Sequence, residues 1–372
     1  MNELLNPNVI DLVPYKPGKH IEDLQREFNL EKVIKLASNE NPAGVPLHVS
    51  EAIKNEISNL NLYPDSDSYY LKKRIAEYNH IDIENVIVGA GSVELIRMIV
   101  KAFLKPGQTV LTSAKTFVFY KVATIEEAGK NAYIEAPMGD DYTFDLDAMF
   151  KLIDNNTKII FVTNPNNPTG TMVPKEKVLD FINKVPKDKI IVLDNAYQEY
   201  VNNPDNYLDG INEAVKGRNI IVLRTFSKIY ALSGMRIGYA ISNIETISNL
   251  NRVKAPFNVA RLSQVAAIAS LENDEFKIKA AALNQKNKEK LFHQLQQTGV
   301  RVIPSEANFL MFIPSSKFSV NKIDELLLRE GVIIRPLQGF GVPEALRVTV
   351  GFEEENDYFI EKFKKVLQIL AG

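Results

Sequence analysis

Cysteine and tryptophan are both absent from the 372 residues of this chain. Without cysteine there are no disulfides, thiolate metal ligands or cysteine nucleophiles, although such a chain suits oxidising and reducing compartments alike. Charge of one sign is also lacking: 44 Lys+Arg against 46 Asp+Glu leave a net −2. That balance excludes a broad basic field for a nucleic-acid backbone or an anionic membrane. No run approaches the roughly 18 apolar residues of a membrane span. The opening stretch MNELLNPNVIDLVPYKPGKH has no basic start, apolar run or small-residue cleavage site. A cytoplasmic protein is therefore expected. His20, His48, His80 and His293 are scattered without ligand spacing, which argues against a metal centre. The nucleophile-elbow pattern G-x-S-x-G and the P-loop are missing too, which argues against the usual hydrolase and NTPase. A small-molecule partner is the expectation that survives.

What is present is an alternation of short β-branched runs and helix-period segments. Residues 85–88 form such a run, and apolar residues then recur every three or four positions over 92–104. Further runs at 109–112, 158–162, 189–193 and 219–223 read as buried parallel strands with room for crossover helices between them. An α/β architecture follows, with a large domain over 47–261 built on a mostly parallel sheet covered by helices. After Ser263 the pattern changes to a long lysine-rich helical stretch reaching about Gln297. Strands at 300–303, 308–312 and 347–350 follow, then an amphipathic segment over 357–370. Residues 262–372, joined by the arm 1–46, are expected to form a smaller α+β domain.

The most informative motif is Arg224-Thr225-Phe226-Ser227-Lys228, followed by Ser233-Gly234-Met235-Arg236-Ile237-Gly238. A lysine that forms a Schiff base must be held beside its carbonyl partner and reach the neutral amine state. Partial burial and a nearby positive charge favour the neutral amine by lowering its pKa. Arg236, Thr225 and Ser227 are suitable donors to a phosphate. On spacing alone the same residues also read as a strand-end lysine and a surface arginine in a glycine turn. The segment 161–170 ends a strand in Asn164-Pro165-Asn166-Asn167-Pro168-Thr169-Gly170, where open α/β sheets bind ligands, or where a tight turn would suffice. The run 190–193 delivers Asp194, with Tyr197 three residues later. A carboxylate there can pair with a protonated pyridine nitrogen or simply cap a helix. Gly89-Ala90-Gly91-Ser92-Val93-Glu94 follows a strand and opens a helix, a pattern suited to one phosphate. Glu94 takes the third glycine position of a dinucleotide fingerprint, so that reading is weak. Phe117 suits stacking on an aromatic ring or ordinary core packing.

Taken in order, GAGSVE, KTF, NPNNPTG, LDNAY, TFSKIYALSGMRIG and LRVTVG resemble the fold-type-I aminotransferases over nearly the whole chain. Within them the sequence is similar to the histidinol-phosphate aminotransferase branch, through residues 13–19, 35–42 and 62–65. The resemblance implies a pyridoxal 5′-phosphate enzyme in which Lys228 is the Schiff-base lysine and the acid/base. It implies that Asp194 pairs with the pyridine nitrogen, that Tyr197 and Asn167 contact the phenolic oxygen, and that Phe117 stacks on the ring. Gly91, Ser92, Val93, Thr225, Ser227 and Arg236 would hold the phosphate, with Tyr63 reaching it from a neighbouring subunit of a homodimer. Arg347 would grip the α-carboxylate of glutamate and 2-oxoglutarate, and Arg335 and Tyr15 the distal phosphate of the amino donor. Asn195, Val93 and Lys115 depart from the branch pattern of Glu, Asp and Pro, and Lys115 is expected to alter the charge of the pocket. An aromatic amino-acid aminotransferase, a phosphate-decarboxylating relative and a non-catalytic pyridoxal-phosphate binder share the cofactor residues; Arg347 speaks against the last.

Overall fold

The computed structural model describes residues 4–10, 12–14 and 18–371. The first strand, β1 (Ile34–Lys35), is followed by helices Leu47–Glu56 and Tyr69–Asn79. Then come β2 (Val86–Gly89), β3 (Thr109–Ser113), β4 (Tyr133–Ala136), β5 (Thr157–Thr163), β6 (Ile190–Asp194), β7 (Ile220–Thr225) and β8 (Gly238–Ile241). These seven form one sheet in the order β2-β8-β7-β6-β5-β3-β4. All neighbours are parallel except β8, which runs antiparallel to both β2 and β7.

The unbroken apolar runs have a physical cause in this layering. Side chains alternate between the two faces of a strand, and here both faces are buried. Ile160, Val162, Ile191, Leu193 and Val222 enter one core cluster. Their chain neighbours Ile159, Phe161, Ile190, Val192 and Ile221 enter another, beneath helix Ser92–Phe103. The antiparallel β8 and the half-exposed edge strand β4 lie outside the expected set of strands. Neither carries a continuous β-branched run: β8 opens on Gly238, and β4 buries only Ala136.

Beyond the sheet, the expected single helical stretch is two helices, Arg261–Ser270 and Glu275–Gln296. The Leu-Glu-Asn-Asp sequence at 271–274 separates them, with the Asn273 side chain accepting from Glu275 N at 2.7 Å. Helix Arg261–Ser270 packs against helices Leu47–Glu56 and Tyr69–Asn79. The remaining strands are β9 (Arg301–Ile303), β10 (Phe309–Ile313), β11 (Val332–Ile333), β12 (Arg335–Pro336) and β13 (Leu346–Thr349). An antiparallel sheet has the order β12-β13-β10-β9, while β1 pairs with β11 in parallel. Helices Val320–Arg329 and Glu353–Ala371 cover it, with Phe312, Phe359 and Phe363 packed in its core. Among the described residues, no helix is long and apolar enough to cross a membrane.

Candidate active site

The parallel register of β5 and β6 sets Thr163 opposite Asp194, and the antiparallel pairing of β7 with β8 sets Thr225 opposite Gly238, at one edge of the large sheet. Two cavities of about 260 and 630 Å³ meet at this edge. Both are bounded by Ser38, Val93, Phe117, Asn167, Tyr197 and Lys228. Lys228 sits three residues beyond β7, in a turn closed by Phe226 N to Ile237 O at 3.2 Å and Leu232 N to Phe226 O at 3.0 Å. Its flanking Phe226 and Ile229 are wholly buried and leave the amine as the group that faces the cavities. Lys228 Nζ lies 3.4 Å from Ser38 O and 5.6 Å from the centroid of the Tyr197 ring.

One end of the smaller cavity is built for an anion. Ser92 and Val93 open a twelve-residue helix, whose first N–H groups have no partner within the helix. Gly91 has φ +80°, and a Cβ there would lie 2.6 Å from Arg236 Nη2. A Cβ on Gly238 would lie 2.8 Å from Arg224 O and 3.1 Å from Ser92 N. Both glycines are thus required for the helix start, β8 and Arg236 to converge. Thr225, Ser227, Ser233 and Arg236 complete this end. Glu94 is held back from it, accepting from Ala90 N at 2.6 Å and from Asn258 Nδ2 at 2.8 Å. Helix N–H groups, hydroxyls and a guanidinium fit a phosphate monoester.

The same cavity is also lined by Asp194, only 3% exposed. Its Oδ2 accepts from the Tyr120 hydroxyl at 2.6 Å and its Oδ1 from Ala196 N at 3.2 Å. Burial pushes the Asp194 carboxyl pKa up, while the bonds from Tyr120 and Ala196 N and the charge of Lys228 oppose that rise. The turn after β6 also contains Tyr197, whose hydroxyl accepts from Asn39 Nδ2 at 2.9 Å. Asn39 has φ +54° and is fastened by its N–H to Thr349 Oγ1 at 2.9 Å and by its carbonyl to Asn308 Nδ2 at 3.1 Å. Asn167 Oδ1 accepts from Arg347 Nη1, and Arg347 Nη2 donates to Ala37 O at 2.8 Å. Arg347 is buried on β13 and lies opposite Arg335 of β12 in the sheet register. Both arginines line the larger cavity.

Of the residues expected from sequence, Ser92, Val93, Phe117, Asn167, Asp194, Tyr197, Thr225, Ser227, Lys228 and Arg236 line the smaller cavity. Gly91 adjoins it through Arg236, and Arg335 and Arg347 line the larger one. Tyr63 lines neither cavity of its own chain: it is 78% exposed and stacks on Phe257 at 4.7 Å. Tyr15 lies outside the described residues. The expectation for Lys115 is corrected, because its amine sits over the Tyr142 ring at 4.7 Å, outside both cavities. Asn195 is buried and donates to Asp209 O at 2.7 Å, away from the cavities. Among the neighbours of the site beyond the expected residues are Ser38, Asn39 and Tyr120. The first two belong to the 35–42 segment, which carries the resemblance but marks neither of them as a site residue. Tyr120 carries no signal either, since one aromatic on an apolar helix reads as core.

Residues 31–363 match the model of the class I and II aminotransferase family. The chain belongs to that family. It is 41% identical to a histidinol-phosphate aminotransferase of Anaeromyxobacter sp. (strain Fw109-5), over 98% of this chain and 99% of that protein. It is 42% identical to one of Caldicellulosiruptor saccharolyticus, over 95% and 97%. The crystal structure of histidinol-phosphate aminotransferase from Sinorhizobium meliloti in complex with pyridoxal-5′-phosphate superposes with a TM-score of 0.89. That match has 25% identity and covers 99% of this chain and 98% of the other. The fold is thus the expected fold-type-I architecture, and the chain is an aminotransferase.

Proposed function

We propose that this aminotransferase moves the amino group between L-histidinol phosphate and 2-oxoglutarate or glutamate, with pyridoxal 5′-phosphate held at Lys228. The observation that carries the reading is the meeting of two cavities at one lysine amine. A buried carboxylate lies on one side, and the guanidinium groups of Arg335 and Arg347 line the other. Pyridoxal phosphate, when bound, supplies an aldehyde that captures amines covalently and a ring that accepts electrons from a developing carbanion.

The protein's own contribution follows from its hydrogen-bond inventory. Lys228 Nζ takes the proton from the donor's Cα. Gly91, Ser92 and Val93 offer backbone N–H groups, and Thr225, Ser227 and Arg236 side-chain donors, to the cofactor phosphate. Phe117 stacks on the ring, and the Asp194 carboxylate pairs with its nitrogen. The Tyr197 hydroxyl accepts from Asn39, so its own proton remains for the ring's phenolic oxygen. Asn167 accepts from Arg347 through Oδ1, so its amide hydrogens remain for the same atom. Arg347 grips the carboxylate of glutamate and 2-oxoglutarate, while Arg335 and Tyr15 bind the distal phosphate of the donor. Tyr63 serves the site of a second subunit in a homodimer. Its exposure beside exposed Leu60, Leu62 and Tyr70 supports that role. The enzyme works in the cytoplasm, within histidine biosynthesis.

The deciding assay compares histidinol phosphate with phenylalanine and tyrosine as amino donors to 2-oxoglutarate. A kcat/KM higher by about 10²-fold or more for histidinol phosphate is expected, because of the three donors only it carries a distal phosphate for Arg335 in the larger cavity. Comparable values, or higher ones for the aromatic amino acids, would replace this reading with an aromatic aminotransferase.

A further inference from the structure

Tyr120 lines neither cavity and is wholly buried, yet it makes the shortest hydrogen bond to Asp194, at 2.6 Å. We infer that Tyr120 is a positioning residue: its phenol proton, directed by Thr163, aims the Asp194 carboxylate and keeps it ionised for the cofactor's ring nitrogen. The inference rests on the pyridoxal-phosphate reading above and extends it to a residue behind the cavity wall.

The direction of each proton follows from counting donors. An ionised carboxylate only accepts, so the single phenolic proton of Tyr120 goes to Asp194 Oδ2. The Tyr120 oxygen is also 2.8 Å from Thr163 Oγ1, and with its own proton committed it must accept there. Thr163 is therefore the donor. Thr116 Oγ1 gives its proton to Asn166 Oδ1 at 2.8 Å, a shorter contact than its 3.3 Å approach to Thr163. The chain of donors thus runs from Thr163 through Tyr120 to Asp194, and each bond polarises the next.

Packing gives this relay no room to rotate. The Tyr120 ring stacks on Phe161 at 4.3 Å with an interplanar angle of 14°. Phe117, a wall of both cavities, meets it edge-on at 5.6 Å. The arrangement also has an electrostatic purpose. A carboxyl buried this deeply favours its neutral form, and a neutral acid is a poor partner for a pyridinium. Donors directed at the carboxylate oppose that tendency, together with the charge of Lys228. Ala196 N, at 3.2 Å, is the weaker of the two protein donors that do so. Both the stacking residue Phe117 and the ring-nitrogen partner Asp194 are therefore braced by one phenol.

The test uses the full-length enzyme loaded with pyridoxal phosphate carrying ¹⁵N in its ring. In the wild type, the nitrogen resonance should report a protonated ring. In Tyr120→Phe it should move toward neutral pyridine, and the dissociation constant of the cofactor should rise about tenfold, the loss of one charge-assisted bond. Tyr120→His, which can donate from a ring nitrogen, should recover part of the shift. Thr163→Val removes only the upstream donor and should move the resonance in the same direction by less; it serves as the test should Tyr120→Phe fail to fold. An unchanged ¹⁵N resonance with cofactor affinity within twofold of wild type, in whichever variant folds, would overturn the inference. A wild-type protein that binds no pyridoxal phosphate would instead overturn the functional reading beneath it.

Discussion

The two cavities that meet at Lys228 are assembled in opposite ways. The walls of the smaller one come largely from the ends of adjacent strands: Thr163 closing β5, Asp194 closing β6, and Thr225, Ser227 and Lys228 at and just beyond the end of β7. They share one rigid sheet whose two faces are both packed. The larger cavity borrows residues 12–14 and 37–39, one side of helices Ser92–Phe103 and Phe119–Ala128, and Arg335, Phe340 and Arg347 from the small antiparallel sheet and its loop. The first arrangement suits chemistry that every substrate shares, because aligned strand ends fix geometry to fractions of an ångström. The second suits substrate choice, since each of its elements can vary without disturbing the others. Lys228 belongs to both, so amine chemistry and substrate selection converge on one atom.

The sharpest way to break this division is at the shared atom. Lys228→Ala should lower turnover by about 10⁴-fold with every donor alike, because it removes both covalent attachment and proton transfer. The lysine-dependent visible absorbance of the cofactor should disappear with it. Retention of that band without added amine would remove Lys228 from its role. Next in size is Arg347→Gln. Losing a buried bidentate cation should reduce kcat/KM for glutamate by roughly 10²-fold to 10³-fold. Cofactor affinity should fall only a few-fold, through the Asn167 bond that Arg347 makes. Steady-state kinetics and a cofactor titration on the same variant would separate the two effects. Equal losses in both would mean that the cavities are not separable in function.

The same contrast explains what could be read from sequence. Strand-end motifs are contiguous, so Asp194, Asn167 and the 224–238 segment declare themselves within a few residues, and the apolar runs before them locate β5, β6 and β7. The antiparallel β8 gave no such signal. It is a short strand whose opening residue, Gly238, is selected by the approach of Ser92 N rather than by β propensity. Tyr120 and Asn39 were illegible as site residues for another reason. Each acts on a group more than seventy positions away, on Asp194 and Tyr197 respectively. Contacts of that span are created by topology, and local pattern carries no trace of them. Lys115 shows the reverse failure: its sequence position is beside the site, but its backbone at φ +55° accompanies a side chain directed to Tyr142.

Asn39 lies where the two cavities adjoin, and its substitution tests how firmly they are joined. Asn39→Gly tolerates the left-handed backbone but loses the bond to Tyr197, and turnover should fall about tenfold. Asn39→Ala should add roughly 1 kcal/mol of lost stability, from a β-carbon forced into that backbone region. Thermal melting of the two variants beside their kcat values distinguishes strain from the lost hydrogen bond. If glycine and alanine lose turnover and stability equally, the left-handed backbone is not what selects asparagine here.

The smallest effect concerns pH on the substrate side alone. Asp324 faces Arg335 and Lys19, and burial raises its pKa from 3.8 to about 6 against the pull of both cations. A raised carboxyl contributes stability that is fully present below about pH 3.8 and is lost as pH rises through 6. At pH 7 the charge is therefore a burden on the small sheet. The displacement corresponds to at most about 3 kcal/mol. Partial solvent contact reduces that to roughly 1 kcal/mol. Asp324→Asn should accordingly be more stable than wild type at pH 7 by that amount, and the difference should shrink toward zero as pH falls to 4. Denaturant melts of both proteins across this range measure it. A variant less stable than wild type at pH 7 would show instead that the Asp324 carboxylate holds Arg335 in place, and that the larger cavity depends on an ion pair as the smaller one depends on its sheet.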